Sequence, residues 1–199
     1  MTSERERTRP FDRRWVVRQL VAERGDLLVV AGLGAAAYDL MASGDHPSSF
    51  YLWGAMGSAA LMGLGLALAQ PRRPVLAITG DGEQLMGLGG LATIAVQRPS
   101  NLTVVILDNG HFGETGMQRS HTSLGTDLVA LARACGIDWS LDIADEAELR
   151  DLVRRSRQRA GCGFARVQVV ADNPPRVLPP RDGVYLKNRF RQALGLEVG

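Results

Sequence analysis

PVLAITGDG (residues 74–82) and LTVVILDNG (residues 102–110) share one plan: an uninterrupted apolar run that stops at an acidic or amide residue and a glycine. Runs this apolar suit strands buried on both faces of a parallel sheet, and not strands with one wet face. Asp81 and Asn109 stand 28 positions apart, which matches one strand–helix–strand unit of roughly 30 residues. A right-handed crossover of that length lays the two strands side by side. Both side chains then emerge at the carboxyl edge of the sheet, where α/β proteins take their ligands.

Working outward, further apolar runs predict strands at 27–32, 50–53 and 164–170, and a weaker one at 137–141. Helical patterns fall between them at 11–24, 35–42, 56–69, 83–97, 127–134 and 145–159. This alternation defines the class as α/β, with a mostly parallel central sheet and helices on both faces. After Val170, ADNPPRVLPPRDG reads as a Pro-rich connector over about 172–183. An amphipathic helical tail over about 184–194 follows, free to pack on this chain or on a partner. Residues 1–199 are expected to form a single domain. The segment from Asn109 to Gly125 is the one long break in the alternation, and connections above about 12 to 15 residues are usually functional.

A net charge of +2 and an aromatic content of 6% provide neither a basic footprint nor a stacking platform, so no nucleic acid partner is expected. Cys135 and Cys162 are too few and too far apart for a Cys-rich zinc site or an iron–sulfur cluster, and read as reduced, packed thiols. The opening MTSERERTRPFDRRW is dense in charge and lacks the apolar run of a secretory signal, so the expected location is the cytoplasm. Phe50 to Ala69 is uncharged and about long enough to cross a bilayer. Gly54 and Gly57 mark a strand-to-helix turn inside it, and Gly63 and Gly65 lower its helicity. A core helix is therefore expected, and no membrane contact.

Asp81 and Asn109, on neighbouring strand ends, can grip one hard cation. Magnesium takes one or two protein carboxylates and leaves places for phosphate oxygens and water. The backbone carbonyl of His111 can add a third protein oxygen. Gly82 is expected to allow a tight turn after Gly80, presenting the N–H groups of Gly82 and Glu83 at a helix start, where an anion is favoured. Taken alone, GDG is also an ordinary turn signal. Likewise AGLGAA at 31–36 is either a plain strand–helix turn or a place where Leu33 and Gly34 offer N–H groups to a terminal phosphate.

GDG followed by Asn at this spacing, GAMG at 54–57 and LDNGHFGETGMQRSHT at 107–122 together resemble the thiamine diphosphate-dependent decarboxylases. The resemblance covers about residues 26–171 and is strongest to the sulfopyruvate and phosphonopyruvate decarboxylases, the former having this domain as a separate β-subunit. It implies the thiamine diphosphate-binding fold, with thiamine diphosphate and Mg2+ as cofactors and Asp81, Asn109 and His111 at the metal. It implies cofactor contacts from Leu33, Gly34, Gly54, Ala55, Met56, Gly80, Gly82, Glu83 and Phe112. Met56, by residue type a core methionine, becomes the wedge that keeps the cofactor bent, while Ala55 stands where relatives often have Ser. Glu114, Thr115 and His121 become candidate catalytic groups, with Arg119 an alternative holder of an anionic tail; each also suits a solvated loop.

The implied reaction converts a small 2-oxo acid to carbon dioxide and an aldehyde. The activating glutamate belongs, in such enzymes, to a pyrimidine-binding domain. The resemblance therefore implies a partner subunit carrying that domain, in a dimer of heterodimers or larger. The segment from Glu114 to His121 departs from the family pattern, so the identity of the 2-oxo acid is not implied. Competing readings are the β-subunit of a 2-oxo acid oxidoreductase, disfavoured by the low cysteine count, an acetolactate synthase-like chain, or a non-catalytic metal- and phosphate-binding module.

Overall fold

A computed structural model describes residues 10–197 of the chain. The first nine residues, part of the charge-dense opening discussed above, lie outside the described residues. The elements run α1 (Arg13–Val21), β1 (Leu28–Ala31), α2 (Ala35–Ala42), β2 (Ser49–Tyr51), α3 (Ala59–Ala69) and β3 (Val75–Gly80). They continue with α4 (Asp81–Met86), α5 (Gly90–Gln97), β4 (Leu102–Asp108), β5 (His111–Phe112) and β6 (Gln118–Arg119). Last come α6 (Leu128–Cys135), β7 (Trp139–Ile143), α7 (Glu146–Gln158), β8 (Gly163–Gln168) and α8 (Gly183–Ala193).

Six strands form one parallel sheet in the order β2-β1-β3-β4-β8-β7. The period-2 alternation of strand side chains divides the apolar runs between two cores. Val29, Leu76, Ile78, Val105 and Leu107 face α1, α2 and α7. Leu28, Val75, Ala77, Val104 and Ile106 face α3, α5 and α6. The α/β class and the parallel sheet expected from the apolar runs are thus observed.

Three local expectations change. The single helix expected over 83–97 is two, α4 and α5, broken at Gly87–Gly89. A Cβ at Gly87 would come within 2.0 Å of the Gly57 carbonyl oxygen, so the break is where two backbones touch. The helix expected from Met56 begins at Ala59, because Ala55 (φ 58) and Gly57 (φ 91) take left-handed backbone that a helix does not allow. Nor is that helix wholly buried: Ala60, Leu64 and Ala67 face the core, whereas Leu61, Met62 and Leu68 are exposed. Among the described residues no helix is long and apolar enough to cross a membrane.

The long segment after β4 is ordered by the β5–β6 hairpin and a 3-10 turn at Thr122–Leu124. The tail, left open above, packs on this chain: Phe190 meets Phe50 edge-on at 5.5 Å, and Arg189 pairs with Asp45 at 2.5 Å.

Candidate functional site

Gly80 pairs with Leu107 in the β3–β4 register, so Asp81 and Asp108 follow as neighbours at the carboxyl edge, with Asn109 one residue beyond. A cavity of about 360 Å3 opens there. From β3 and α4 its wall takes Gly80, Asp81, Gly82 and Glu83; from the segment after β4 it takes Asn109, His111, Phe112, Glu114 and Thr115. Leu33 closes it at the β1–α2 turn, and Met56 enters from the turn before α3. Most of the candidate residues thus meet in one place.

Five do not reach the wall. Gly34 is the residue before α2, in left-handed backbone (φ 79), and a Cβ there would lie 2.8 Å from Glu114, so its role is to admit that side chain. Gly54 and Ala55 belong to the outward bend that delivers Met56. His121 is exposed and sets its ring edge-on against Phe112, 6.3 Å between centroids, behind the wall. Arg119 is turned aside too, its guanidinium bonded to Ser123.

The electrostatics of the strand tips are unbalanced. Asp81 is 2% exposed. It accepts a hydrogen bond from the Ser120 hydroxyl, and the Thr122 hydroxyl, whose shorter bond goes to Asp108, lies 3.2 Å away. Burial pushes its carboxyl above the usual aspartate value; the Ser120 bond opposes this, and the charge of Asp108 adds to it. Asp108, equally buried, accepts from Thr122 (2.8 Å), from the Gly110 N–H (2.9 Å) and from Arg166 (2.5 Å). Arg166 also reaches Asp142 at 3.1 Å.

Asp81 and Asp108 therefore share a single guanidinium, and among the described residues both Asp81 and the buried Glu83 are left beside the cavity without a counter-ion. Buried charge of that kind is costly unless paired or bound to a metal. The nearby donors are oxygens: the Asp81 carboxylate and the Asn109 amide, with the His111 backbone adjacent. The Asn109 Oδ1 accepts the His111 N–H at 2.9 Å, which fixes its side chain in an Asx turn. This donor set fits a hard divalent cation.

The glycines act differently from expectation. Gly82 has no positive φ and lies inside α4, so it is not a tight-turn residue. A Cβ there would meet the Phe112 ring at 2.6 Å, and the glycine is what lets that ring close over α4. Glu83 sends its side chain inward. It accepts from the Thr79 hydroxyl at 2.6 Å and fills the space beside Gly32, where a Cβ would clash at 1.7 Å. Burial raises its carboxyl above the usual glutamate value, while Thr79 and the backbone N–H groups of Ala59 and Gly57 hold it down. Glu83 thereby links β1, β3 and the Met56 turn.

Because Gly87 and Gly57 touch through their backbones, Gly87→Ala is expected to displace the Met56 turn. Overpacking of this kind costs about 1–3 kcal/mol. A thermal melt should show a loss of several degrees, while Gly89→Ala, with open space around it, should show a much smaller one.

Glu114 accepts from Arg176 at 3.2 Å and Thr115 donates to Gln118 at 3.0 Å. Sequence reasoning missed Ser120, Thr122 and Arg166 around the two carboxylates, and Arg13, Met86 and Asn173 in the cavity wall. Ser120 and Thr122 were findable, as short hydroxyl residues in a segment already singled out. Arg13 and Asn173 come from distant parts of the chain and carry no local signal.

Known proteins resemble this chain in sequence and in fold. Residues 32–169 match the family model described as thiamine pyrophosphate enzyme, C-terminal TPP binding domain. The sulfopyruvate decarboxylase subunit beta of Methanococcus maripaludis is 35% identical over 182 residues, covering 90% of this chain and 95% of the relative. The phosphonopyruvate decarboxylase of Streptomyces hygroscopicus is 50% identical over 108 residues, 54% of this chain and 26% of that protein. The crystal structure of benzoylformate decarboxylase from Polynucleobacter necessarius superposes with a TM-score of 0.69 at 21% identity, over 88% of this chain and 36% of that one; at that identity it supports the fold alone. The family match and the near full-length relative lead to one conclusion: the chain belongs to the thiamine pyrophosphate enzymes, as a TPP-binding domain of the C-terminal type.

Proposed function

We propose that this chain is the diphosphate- and magnesium-binding subunit of a heteromeric, cytoplasmic thiamine diphosphate-dependent decarboxylase acting on a small 2-oxo acid. The observation that carries the reading is the uncompensated Asp81 carboxylate at a strand tip, beside Asn109, in the apolar-walled cavity at the carboxyl ends of β3 and β4. Asp81, Asn109 and the His111 carbonyl are assigned to the cation, and the backbone from Gly80 to Glu83 and at Leu33 to the diphosphate. Bound thiamine diphosphate supplies the electron sink on which a 2-oxo acid loses carbon dioxide.

The chain's own side chains do the rest. Met56 gives an apolar support on one wall, and Phe112 packs over Gly82 of α4 on the other. Glu114 and Thr115 stand at the mouth, where a substrate carboxylate enters. The Arg176 guanidinium holds Glu114 in place and keeps its charge compensated.

A partner subunit with a pyrimidine-binding domain and its activating glutamate completes this reading. Its support here is the rim: Met56 and Met86 line the cavity yet are 38% and 60% exposed, and Leu61 and Met62 extend the apolar surface along α3. Apolar surface at the edge of a site marks an interaction face. We assign the assembly as a dimer of heterodimers or larger.

The experiment is co-expression with such a partner and assay of aldehyde release from pyruvate, sulfopyruvate and phosphonopyruvate. The pair should turn over one of them in a magnesium-dependent way, chelation should stop it, and neither chain alone should act. Product formation that requires coenzyme A, or carbon–carbon bond formation without free aldehyde, would point instead to an oxidoreductase or a synthase. Tight nucleotide binding with no thiamine diphosphate binding would leave only a metal- and phosphate-binding module.

A further inference from the structure

Arg13 opens α1, far from the strand tips in sequence, yet it forms part of the cavity wall together with Leu33, Ala35 and Ala36. It is 6% exposed. Its Nε donates to the carboxylate of Asp39 on α2, which is fully buried, and Arg14 donates to the same carboxylate at 3.0 Å. Arg14 directs another nitrogen to the Pro175 carbonyl. The two outer nitrogens of Arg13 have no hydrogen-bond partner among the described residues.

Two guanidiniums against the Asp39 carboxylate leave a net positive charge at this end of the cavity, because the Glu114 carboxylate beside Gly34 is itself offset by Arg176. The same end contains the start of α2, preceded by Gly34, where no side chain caps the helix. The first amides of an uncapped helix lack partners and favour an anion. A guanidinium with both outer nitrogens free matches two oxygens of a tetrahedral oxyanion in a bidentate fork. The buried Asp39 carboxylate holds that fork rigid, so little side-chain entropy is lost when an anion arrives.

We infer that Arg13 and the uncapped start of α2 make one oxyanion subsite, which takes the terminal phosphate of the diphosphate. The inference rests on the thiamine diphosphate reading and adds to it a cationic determinant that distinguishes a diphosphate from a monophosphate. Arg13 is a binding residue in this account and takes no part in proton transfer.

The test is calorimetric titration of the chain, purified with its partner and magnesium, with thiamine diphosphate, thiamine monophosphate and inorganic pyrophosphate. Charge-assisted hydrogen bonds of this type correspond to a loss of about 10- to 100-fold in affinity when removed. Arg13→Met should weaken thiamine diphosphate and pyrophosphate by that factor and leave the monophosphate nearly unchanged. Arg13→Lys, which keeps the charge and loses the fork, should fall between. Arg14→Met removes the second partner of Asp39 and one positive charge, but from outside the cavity wall, so it should weaken the two diphosphate ligands much less than Arg13→Met does, which separates direct anion binding from mere support of α2.

Equal diphosphate affinity in Arg13→Met and the unaltered protein would overturn the inference. So would an unchanged cofactor affinity with a raised KM for the 2-oxo acid, which would place Arg13 at the substrate. Failure of the unaltered complex to bind thiamine diphosphate would instead overturn the functional reading itself.

Discussion

Asp81→Asn should abolish magnesium-dependent binding of thiamine diphosphate and, at the same time, make the ligand-free protein harder to unfold. The first effect follows from removing an uncompensated carboxylate charge at the tip of β3. Changing an outer partner of a metal ligand typically costs 10- to 100-fold in metal affinity, so loss of the ligand charge itself should exceed about 100-fold. The second follows from burial. The folded state holds Asp81 protonated to a higher pH than the unfolded chain does, so the folded form binds more protons and stability falls as pH rises above the ordinary aspartate value of about 4. Below that value both states are protonated and no penalty exists.

The asparagine variant escapes the penalty. Its Tm should exceed that of the unaltered protein at pH 7 to 8, and the difference should vanish as pH falls below about 4. Melts across that range, beside calorimetry with magnesium, read both effects. A variant that binds the cofactor normally, or one whose Tm is lower at neutral pH, would contradict the role given to Asp81.

The second large effect concerns Arg166. It lies beside Ile106 in the β4–β8 register and is the counter-ion of Asp108. Removing one partner of a buried pair costs about 3–5 kcal/mol, because a charge is left buried and alone. Arg166 is 24% exposed in its side chain, and water can soften the loss, so Arg166→Leu should sit at the low end, about 3 kcal/mol. For a chain of this size that is a fall in Tm of about 6–12 °C. Combining it with Asp108→Asn should recover most of the stability, since the isolated charge is then gone. A single variant within about 1 kcal/mol of the parent, or a double variant no better than the single, would show that the pair is not what balances the site.

How far these features were legible in the sequence depends on their range. The β3 and β4 runs, each ending in an acidic or amide residue and a glycine, specify both the strands and the edge at which Asp81 and Asn109 emerge, because apolar continuity and crossover length are local properties. The break at Gly87–Gly89 was not legible: the run from Glu83 to Gln97 keeps a helical pattern, and only the contact with Gly57 interrupts it. Gly82 was read as a turn, yet its lack of a side chain serves Phe112, thirty positions away. His121 is a functional residue type in a suspected segment, but the hairpin register turns it behind Phe112. Arg13 belongs to an amphipathic helix and only the folded pairing with Asp39 brings it to the cavity.

The most direct check of the whole account is a crystal of the complex grown with thiamine diphosphate and with manganese in place of magnesium, read by anomalous scattering. One peak bonded to both the Asp81 carboxylate and the Asn109 amide oxygen, and to the diphosphate, is the expected result. A peak that touches only one of those side chains, or a diphosphate lying away from the tips of β3 and β4, would contradict it.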